Sequence, residues 1–344
     1  MDKKRFYLKI LSRIILGLLG VFAILVLIAY LIFGRGGEAP KIIWGTSFDA
    51  AYAESLGLDW KKTYLSLLDE VGVDRLRLVA FWNTVEPQRD RFDFSALDFQ
   101  MSEARKRGIS VILAIGRRLP RWPECHIPDW AASFSEKEQQ EEVTGLITAV
   151  VKRYRDSPSL EFWQVENEPF VGFFGECPRL NRSFLEREIA GVVVLDPAHP
   201  VLLTDSGEIS SWLGVSGVSE NLGISMYRMI YDESLTKLYI SYRLFFPQWY
   251  YRIKANFYQK IGRLKTVFVS ELQAEPWGTK PLIEMSKEEQ YVSFSPDQFR
   301  SNIAFARSTG FDRFYLWGAE WWFYAREKLG VPDFVDEAKS LWLR

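Results

Sequence analysis

The sequence predicts an α/β fold, a (β/α)8 TIM barrel preceded by one N-terminal transmembrane helix. Eight short apolar runs alternate with amphipathic stretches over about 300 residues, which is the size of such a barrel. No dinucleotide-binding fingerprint follows any of the runs, so an open doubly wound sheet ranks second. Residues 14–33, ahead of the alternating region, carry no charge.

The first 40 residues divide into a basic segment, an apolar segment and a linker. Residues 1–13 hold Lys3, Lys4, Arg5, Lys9 and Arg13. Residues 14–33 are long enough to cross a bilayer core of about 30 Å. Because the basic cluster precedes this helix, the N-terminus is predicted to be cytoplasmic and the remainder extracytoplasmic.

A cleaved signal peptide is the alternative reading of the apolar segment. Its apolar region would be shorter, and a cleavage site with small residues should follow it. Residues 34–40 contain no good site of this kind and read as a short linker. The sequence therefore favours an uncleaved anchor, with the barrel domain at residues 41–344 and a single-pass location in the cell membrane.

The barrel elements follow in order from residue 41. Strands are predicted at residues 42–46, 75–81, 109–115, 160–165, 201–204, 222–227, 266–270 and 311–317. Helices are predicted at residues 60–71, 99–107, 138–154, 184–193, 297–308 and 334–343. The first of these helices has Leu65, Leu68 and Val71 at helical spacing, and Gly108 closes the second.

Two of the predicted strands end in a glutamate. Glu168 follows the fourth strand, next to Asn167, and Pro169 stops that strand because it cannot donate to a sheet ladder. Glu271 ends the seventh strand. Active sites of such barrels lie at the carboxyl ends of the strands, and paired carboxylates there are what hydrolysis of a glycosidic bond requires. Glu166 and Glu275 are the alternative carboxylates.

Composition excludes several other functions. The net charge is −1 with 25% charged residues, which does not suggest nucleic-acid binding. Two cysteines and two histidines are too few for a zinc site, and no glycine-rich phosphate loop stands out. No metal or organic cofactor is therefore expected. The 13 tryptophans fit either a sugar-binding cleft or a large aromatic core.

Two further stretches have open interpretations. Arg117, Arg118 and Arg121, in the loop after the third strand, could bind an anionic sugar, although solvated charges are the favoured reading. Residues 239–258 interleave aromatic and basic side chains. Part of this segment should be the helix before the seventh strand, and the rest could form a cleft wall, pack normally or meet a membrane interface.

Several motifs resemble the clan A glycoside hydrolases, the barrel superfamily that includes family 5 cellulases and family 42 β-galactosidases. The motif Trp-Gln-Val-Glu-Asn-Glu-Pro at residues 163–169 is similar to the clan's fourth-strand signature, and Val-Ser-Glu at 269–271 fits the seventh. Arg77, residues 82–87 and residues 317–320 fit as well. The resemblance covers essentially residues 41–344.

The resemblance implies a retaining mechanism, with Glu168 as general acid/base and Glu271 as nucleophile. Arg77 would keep Glu271 ionised, and the Glu271 charge would raise the pKa of Glu168. Asn167 would bind the sugar 2-hydroxyl, a contact that strengthens in the transition state. The other predicted substrate-site side chains are Tyr227, beside the nucleophile, Trp317, beneath the cleaved sugar, and Trp82.

Cys125 and Cys177 are predicted to form a disulfide. They lie in the loops after the third and fourth strands, which are neighbours in a barrel. Outside the membrane a disulfide between them is plausible, and it would hold two walls of the cleft together.

The predicted function is therefore a membrane-anchored retaining β-glycoside hydrolase that cleaves an extracytoplasmic oligo- or polysaccharide. A catalytically silent carbohydrate-binding or scaffold barrel is one alternative, because a fold does not determine a function. A transglycosylase, in which a sugar hydroxyl replaces water, is another. The expected partners are the glycan and, through the N-terminal helix, the membrane.

Overall fold

The computed structural model describes residues 3–34, 39, 41–172, 174–178, 181–232, 236–243 and 245–343. The described residues form ten strands: β1 (Ile43–Ser47), β2 (Arg75–Val79), β3 (Ser110–Ile115), β4 (Leu160–Val165), β5 (Val201–Asp205), β6 (Asn221–Met226), β7 (Met229–Asp232), β8 (Leu238–Ser241), β9 (Thr266–Gln273) and β10 (Arg313–Trp317). Eight of them form a closed barrel of parallel strands, with β6 paired to β9 and β10 paired back to β1. The predicted eight-stranded barrel is confirmed.

Helices surround the barrel, and most lie where the periodicity predicts them. The described helices are α1 (Lys3–Phe33), α2 (Ala50–Ser55), α3 (Trp60–Ser66), α4 (Trp82–Val85), α5 (Ser95–Lys106), α6 (Glu136–Tyr154), α7 (Arg182–Leu195), α8 (Gln248–Lys260), α9 (Lys287–Ser293), α10 (Pro296–Ser308), α11 (Ala319–Leu329) and α12 (Asp333–Trp342). Reciprocal hydrogen bonds between Ser135 and Glu138 form a capping box that begins α6.

Some elements differ from the prediction. Strand β9 continues to Gln273, so Glu271 lies inside it rather than at its end. The predicted helix over residues 60–71 changes to a π-helical turn at Leu67–Val71. Helices α2, α4, α9 and α11 were not predicted, and neither was the hairpin of β7 and β8, which lies outside the barrel.

The barrel interior is a packed core. One apolar cluster is contributed by strands β3, β4, β5, β9 and β10: Ile112, Phe162, Leu202, Phe268 and Tyr315. Phe162 and Phe268 precede Glu168 and Glu271 in the chain and lie nearer the amino ends of their strands. Both candidate carboxylates therefore belong to the rim at the carboxyl ends of the strands, here called the upper rim.

The N-terminal helix α1 contains the only described segment that is long and apolar enough to cross a membrane, Tyr7–Phe33. A helix of this kind could serve as a membrane anchor or belong to a signal sequence. Residues 1–2 of the predicted basic segment, residues 35–38 and 40 of the predicted linker, and Arg344 of the predicted domain lie outside the described residues.

Candidate active site

Glu168 and its neighbours leave strand β4 through an unusual backbone. The strand ends at Val165, and both Glu166 and Glu168 adopt left-handed conformations, with φ of 61° and 41°. Residues other than glycine rarely adopt such conformations, and those that do are concentrated at functional sites. The Glu168 backbone N–H donates to the Thr204 hydroxyl at 2.9 Å, which fixes the turn against β5.

Arg77 links Glu271 to the residue beside Glu168. Its guanidinium, fully buried on β2, donates to Glu271 Oε1 at 2.5 Å and to Asn167 Oδ1 at 3.0 Å. A third bond, from Nε to Gln164 Oε1 at 2.7 Å, orients the guanidinium plane. One cation thus holds Glu271 and Asn167 in a fixed relation across the barrel.

Asn167 is held by a network that leaves part of its amide free. Its Oδ1 also accepts from the Thr204 hydroxyl at 3.0 Å, and its Nδ2 donates to Glu124 Oε2 at 3.1 Å. An amide nitrogen carries two hydrogens. Among the described residues, Glu124 is the only hydrogen-bond acceptor of Asn167 Nδ2, so its second hydrogen can be donated to a ligand hydroxyl.

Tyr227 contacts the other oxygen of Glu271. Its hydroxyl donates to Glu271 Oε2 at 3.2 Å, so the carboxylate is held by Arg77 on one oxygen and by Tyr227 on the other. Burial first, and then the negative charge of Glu271, raise the pKa of Tyr227 well above its usual value. Tyr227 therefore keeps its proton, and can donate its hydrogen bond to Glu271, around neutral pH.

The Glu168 carboxyl favours its protonated form. Burial is the largest cause that raises its pKa well above the usual value, followed by the charges of Glu271, Glu124 and Asp205. A carboxylic acid that keeps its proton towards neutral pH can act as a general acid.

Glu124 belongs to the same site but was not predicted from the sequence. It is buried in the loop after β3, 3.5 Å from the Arg118 guanidinium, with its backbone in the left-handed region at a φ of 73°. Burial raises the pKa of Glu124 to about 7, opposed by Arg118 and by the Asn167 hydrogen bond. No spacing pattern marks this residue, because its partners lie far along the chain.

The two alternative carboxylates are engaged elsewhere. Glu166 is buried and accepts the backbone N–H groups of Arg117 and Arg118, at 2.8 and 2.5 Å. Glu275 accepts from the Arg121 guanidinium at 3.2 Å. Within the described part of the chain, neither carboxylate bonds to Arg77 or Asn167.

The three loop arginines are not solvated, contrary to the favoured expectation. Arg117 and Arg118 are buried, and Arg117 pairs with Glu136 at 2.8 Å. Arg121 lies among Asp49, Glu275 and Glu320, at 3.4, 3.2 and 3.8 Å. Charged groups that are shielded from water require such partners. The guanidinium groups of Arg117 and Arg121 are therefore paired with carboxylates of the protein itself.

Trp317 ends β10 between two cations. The centroid of its ring lies 4.5 Å from the Arg121 guanidinium carbon and 6.0 Å from that of Arg77. The ring is only 8% exposed, and it lies near Glu271 because Arg77 contacts both residues.

The expectation that Trp82 binds substrate is corrected by the structure. Trp82 begins α4 and is fully buried, packed edge-on against Trp130 at 5.5 Å. Its indole N–H donates to Glu86 at 2.9 Å. Trp82 has no exposed surface and its indole nitrogen is already hydrogen-bonded. Its side chain therefore packs beneath the loop after β2.

A disulfide joins Cys125 and Cys177, whose Cα atoms are 5.3 Å apart. It connects the loop after β3, which carries Glu124, to the loop after β4, which carries Glu168. Among the described residues, no group of three His, Cys, Asp or Glu side chains is arranged to hold a metal ion.

Replacing Arg77 by methionine is expected to destabilise the fold by about 3–5 kcal/mol, because it leaves the buried Glu271 carboxylate without its cation. The measurement is the free energy of unfolding from urea titrations of the full chain in detergent. Arg326→Met is the matched control, since Arg326 pairs with Glu70 at the surface and should cost at most about 1 kcal/mol. A smaller loss for Arg77→Met than for Arg326→Met would contradict the linking role of Arg77.

Replacing Glu124 by glutamine is expected to move the alkaline limb of activity to lower pH. The negative charge of Glu124 is one cause that raises the pKa of Glu168. Removing that charge lowers the pKa of Glu168, so the acid loses its proton at a lower pH. The check is the pH profile of kcat/KM for both proteins, and an unmoved or alkaline-shifted limb would count against the coupling.

Comparisons with known proteins give a consistent picture. The profile of glycoside hydrolase family 42, described as β-galactosidase, matches residues 54–198. Beta-galactosidase BgaH of Haloferax lucentense is 26% identical over 125 residues, which are 31% of this chain and 19% of that protein. A probable mannan endo-1,4-beta-mannosidase F of Aspergillus flavus is 28% identical over 120 residues, 32% of this chain and 25% of that one. The chain thus matches a quarter or less of the length of these relatives.

Solved structures share the fold at low sequence identity. The cold-adapted β-galactosidase of Rahnella sp. R3 superimposes with a TM-score of 0.60 at 14% identity, covering 89% of this chain and 55% of that chain. Xylanase 10B of Thermotoga petrophila gives a TM-score of 0.53 at 16% identity, covering 81% and 82%. The resemblance to clan A glycoside hydrolases is confirmed by these similarities, and the names of the relatives agree with the prediction of a glycosidase.

Proposed function

We propose that this chain, similar to clan A glycoside hydrolases, is a retaining β-glycosidase in which Glu168 and Glu271 act as the catalytic pair. The main support for this proposal is that Arg77 donates hydrogen bonds both to Glu271 and to Asn167, the neighbour of Glu168. A surface carboxylate at a strand end would have no need of this buried link. The network supports a site in which two carboxylates work on one substrate.

In the first step Glu271 attacks the anomeric carbon and forms a glycosyl ester. The bond from that carbon to the leaving-group oxygen breaks, and Glu168 donates its proton to the oxygen. Arg77 and Tyr227 each hold one oxygen of Glu271, so the carboxylate is oriented before the substrate arrives. Because the pKa of Glu168 is raised, its carboxyl group still carries the proton that the leaving-group oxygen receives.

In the second step water cleaves the glycosyl ester with Glu168 as general base. Glu168, now ionised, takes one proton from the water while its oxygen attacks the anomeric carbon, and Glu271 leaves as a carboxylate. Both glutamates return to their starting protonation states. The two inversions at the anomeric carbon give net retention.

Asn167 and Trp317 are proposed to bind the sugar that is cleaved. The free Nδ2 hydrogen of Asn167 suits the sugar 2-hydroxyl, since its Oδ1 is already occupied by Arg77 and Thr204. Trp317 offers an apolar surface to the sugar ring. Glu124 fixes Asn167 through its hydrogen bond and is a positioning residue.

The substrate is proposed to be a β-linked oligo- or polysaccharide outside the cell, reached by an enzyme anchored through α1. The relatives are named β-galactosidases and mannan endo-1,4-beta-mannosidases, which supports a β-linked hexose. The apolar helix Tyr7–Phe33 and the basic residues at its start support an anchor with a cytoplasmic N-terminus.

The test is the release of reducing sugar by the full chain in detergent from galactans, mannans, xylans, β-glucans and uronate polymers. Release from at least one polymer, absent in Glu271→Ala, is the expected result. A folded chain that binds one of these polymers without cleaving it would favour the silent carbohydrate-binding protein. Longer rather than shorter oligosaccharide products would favour the transglycosylase.

A further inference from the structure

The C-terminal end of α1 packs along α8, on the outside of the barrel. The Tyr30 ring meets Trp249 edge-on with centroids 6.2 Å apart, and Phe33 meets Phe257 in the same way at 5.8 Å. The Asn256 side chain donates to the Phe33 carbonyl at 2.6 Å. The last turns of α1 are therefore docked on the barrel by both apolar and polar contacts.

The order of these contacts gives the direction of α1. Helix α8 descends from the upper rim to the opposite end of the barrel, because its next element is β9, which runs back to the upper rim. Tyr30 meets Trp249 at the start of α8, whereas Phe33 meets Phe257 near its end. The two helices thus run in the same sense, and the earlier residues of α1 extend towards the upper rim and beyond it.

The length of α1 agrees with this direction. The span Tyr7–Phe33 has 27 residues, whereas about 20 residues cross a bilayer core. Its only charged residues, Lys9 and Arg13, lie near its start, where their long side chains can reach the lipid headgroups. The surplus of about 7 residues measures about 10 Å along a helix, which allows the last turns to lie beside α8 while the rest crosses the membrane. The side of the barrel that meets the bilayer is then the upper rim.

Exposed apolar side chains occur on four loops of that rim. They follow β3, β5, β6 and β9 and form what we name the rim surface: Trp122, Ile209, Leu238, Phe245 and Ile283. Leu238 is 64% exposed and Phe245 is 66% exposed. The exposed Lys237 and Arg243 lie close to them in the chain. Apolar and basic side chains so interleaved are typical of protein surfaces that contact lipid headgroups.

We propose that the rim surface rests on the headgroup layer of the membrane that α1 crosses, so that the cleft of Glu168 and Glu271 opens towards the bilayer. The inference rests on the proposed anchoring by α1. A glycan displayed by the membrane reaches such a cleft without leaving the surface, whereas a long soluble polymer must enter between the barrel and the bilayer.

The test places a fluorophore at the rim and at the opposite end of the full chain in phosphatidylcholine vesicles. Because Cys125 and Cys177 are joined, a single introduced thiol takes the label. Leu238→Cys and Ile209→Cys carry the environment-sensitive dye NBD at the rim. Val194→Cys is the matched control, since Val194 is 81% exposed near the end of α7, away from the rim.

Lipids with a nitroxide on the headgroup are expected to quench the dye at positions 238 and 209 by about half or more, and to leave it unchanged at 194. Equal quenching at all three positions, quenching only at 194, or quenching at none would overturn the orientation. Flotation of each labelled chain with the vesicles is measured first. If the labelled chains do not float with the vesicles, both the anchoring and the orientation are wrong. Neither flotation nor quenching depends on glycosidase activity, so both can be judged even if the proposed function fails.

Discussion

Replacing Glu271 by alanine is expected to lower kcat on the order of 10⁴-fold or more, as loss of other catalytic nucleophiles does. The glycosyl ester cannot form without this carboxylate, and Arg77 and Tyr227 lose the group that they hold. The measurement is steady-state kinetics on an activated aryl β-glycoside of the sugar found to be cleaved. Added azide should restore part of the activity by occupying the vacated space and should give the inverted, α-configured glycosyl azide.

Glu275→Ala is the matched control for this substitution. Glu275 is also a buried glutamate and lies just after β9, the seventh strand of the barrel. It pairs with Arg121 rather than Arg77. Its loss should raise KM more than it lowers kcat. If Glu275→Ala lost activity on the order of 10⁴-fold while Glu271→Ala retained it, Glu275 would be the nucleophile.

Replacing Glu168 by alanine is expected to lower kcat/KM by about 10²–10⁴-fold on natural glycosides, the usual contribution of general acid catalysis. The loss should shrink strongly on a dinitrophenyl glycoside, whose leaving group needs no proton. Azide should again accelerate the reaction, because it replaces the water that needs a general base. Here it should give the β-configured azide, since the Glu271 ester still forms.

The two azide products separate the roles of the glutamates. An α-azide from Glu168→Ala would mean that the roles are reversed. An equal loss on the natural and the dinitrophenyl substrates would mean that Glu168 positions the sugar rather than protonating the leaving group.

The barrel could be predicted because its signal is local. Strand-length apolar runs and the proline that stops β4 act on their own segments, and parallel strands bring their carboxyl ends to one rim. Arg77 on β2 and Tyr227 after β6 were predicted from the resemblance to clan A glycoside hydrolases rather than from the periodicity. The structure brings both of them to Glu271, at 2.5 and 3.2 Å.

The residues that sequence reasoning missed depend on partners far along the chain. Glu124 acquires its place from Arg118 and Asn167 in a loop with a left-handed backbone, and no periodicity encodes this. The ion pairs of Arg121 depend on Asp49, Glu275 and Glu320, which lie after β1, after β9 and in the first turn of α11.

Helix α11 was missed for a different reason. It begins after Gly318, and its first seven residues are all buried, so it lacks the polar face by which a surface helix is recognised. The burial of Trp82 could not be predicted either, because its position in a motif does not reveal whether the side chain faces the cleft or the core.

The most direct test of the catalytic pair is the site at which the enzyme is labelled by a mechanism-based 2-deoxy-2-fluoro-β-glycosyl fluoride. Such a reagent forms the glycosyl ester and slows its hydrolysis, so the ester can be located by peptide mass spectrometry. The account predicts one label per chain, on the peptide that contains Glu271, with turnover restored when the ester is released. A label on Glu275 or Glu168, or turnover of the fluoride with inversion and no ester, would contradict it.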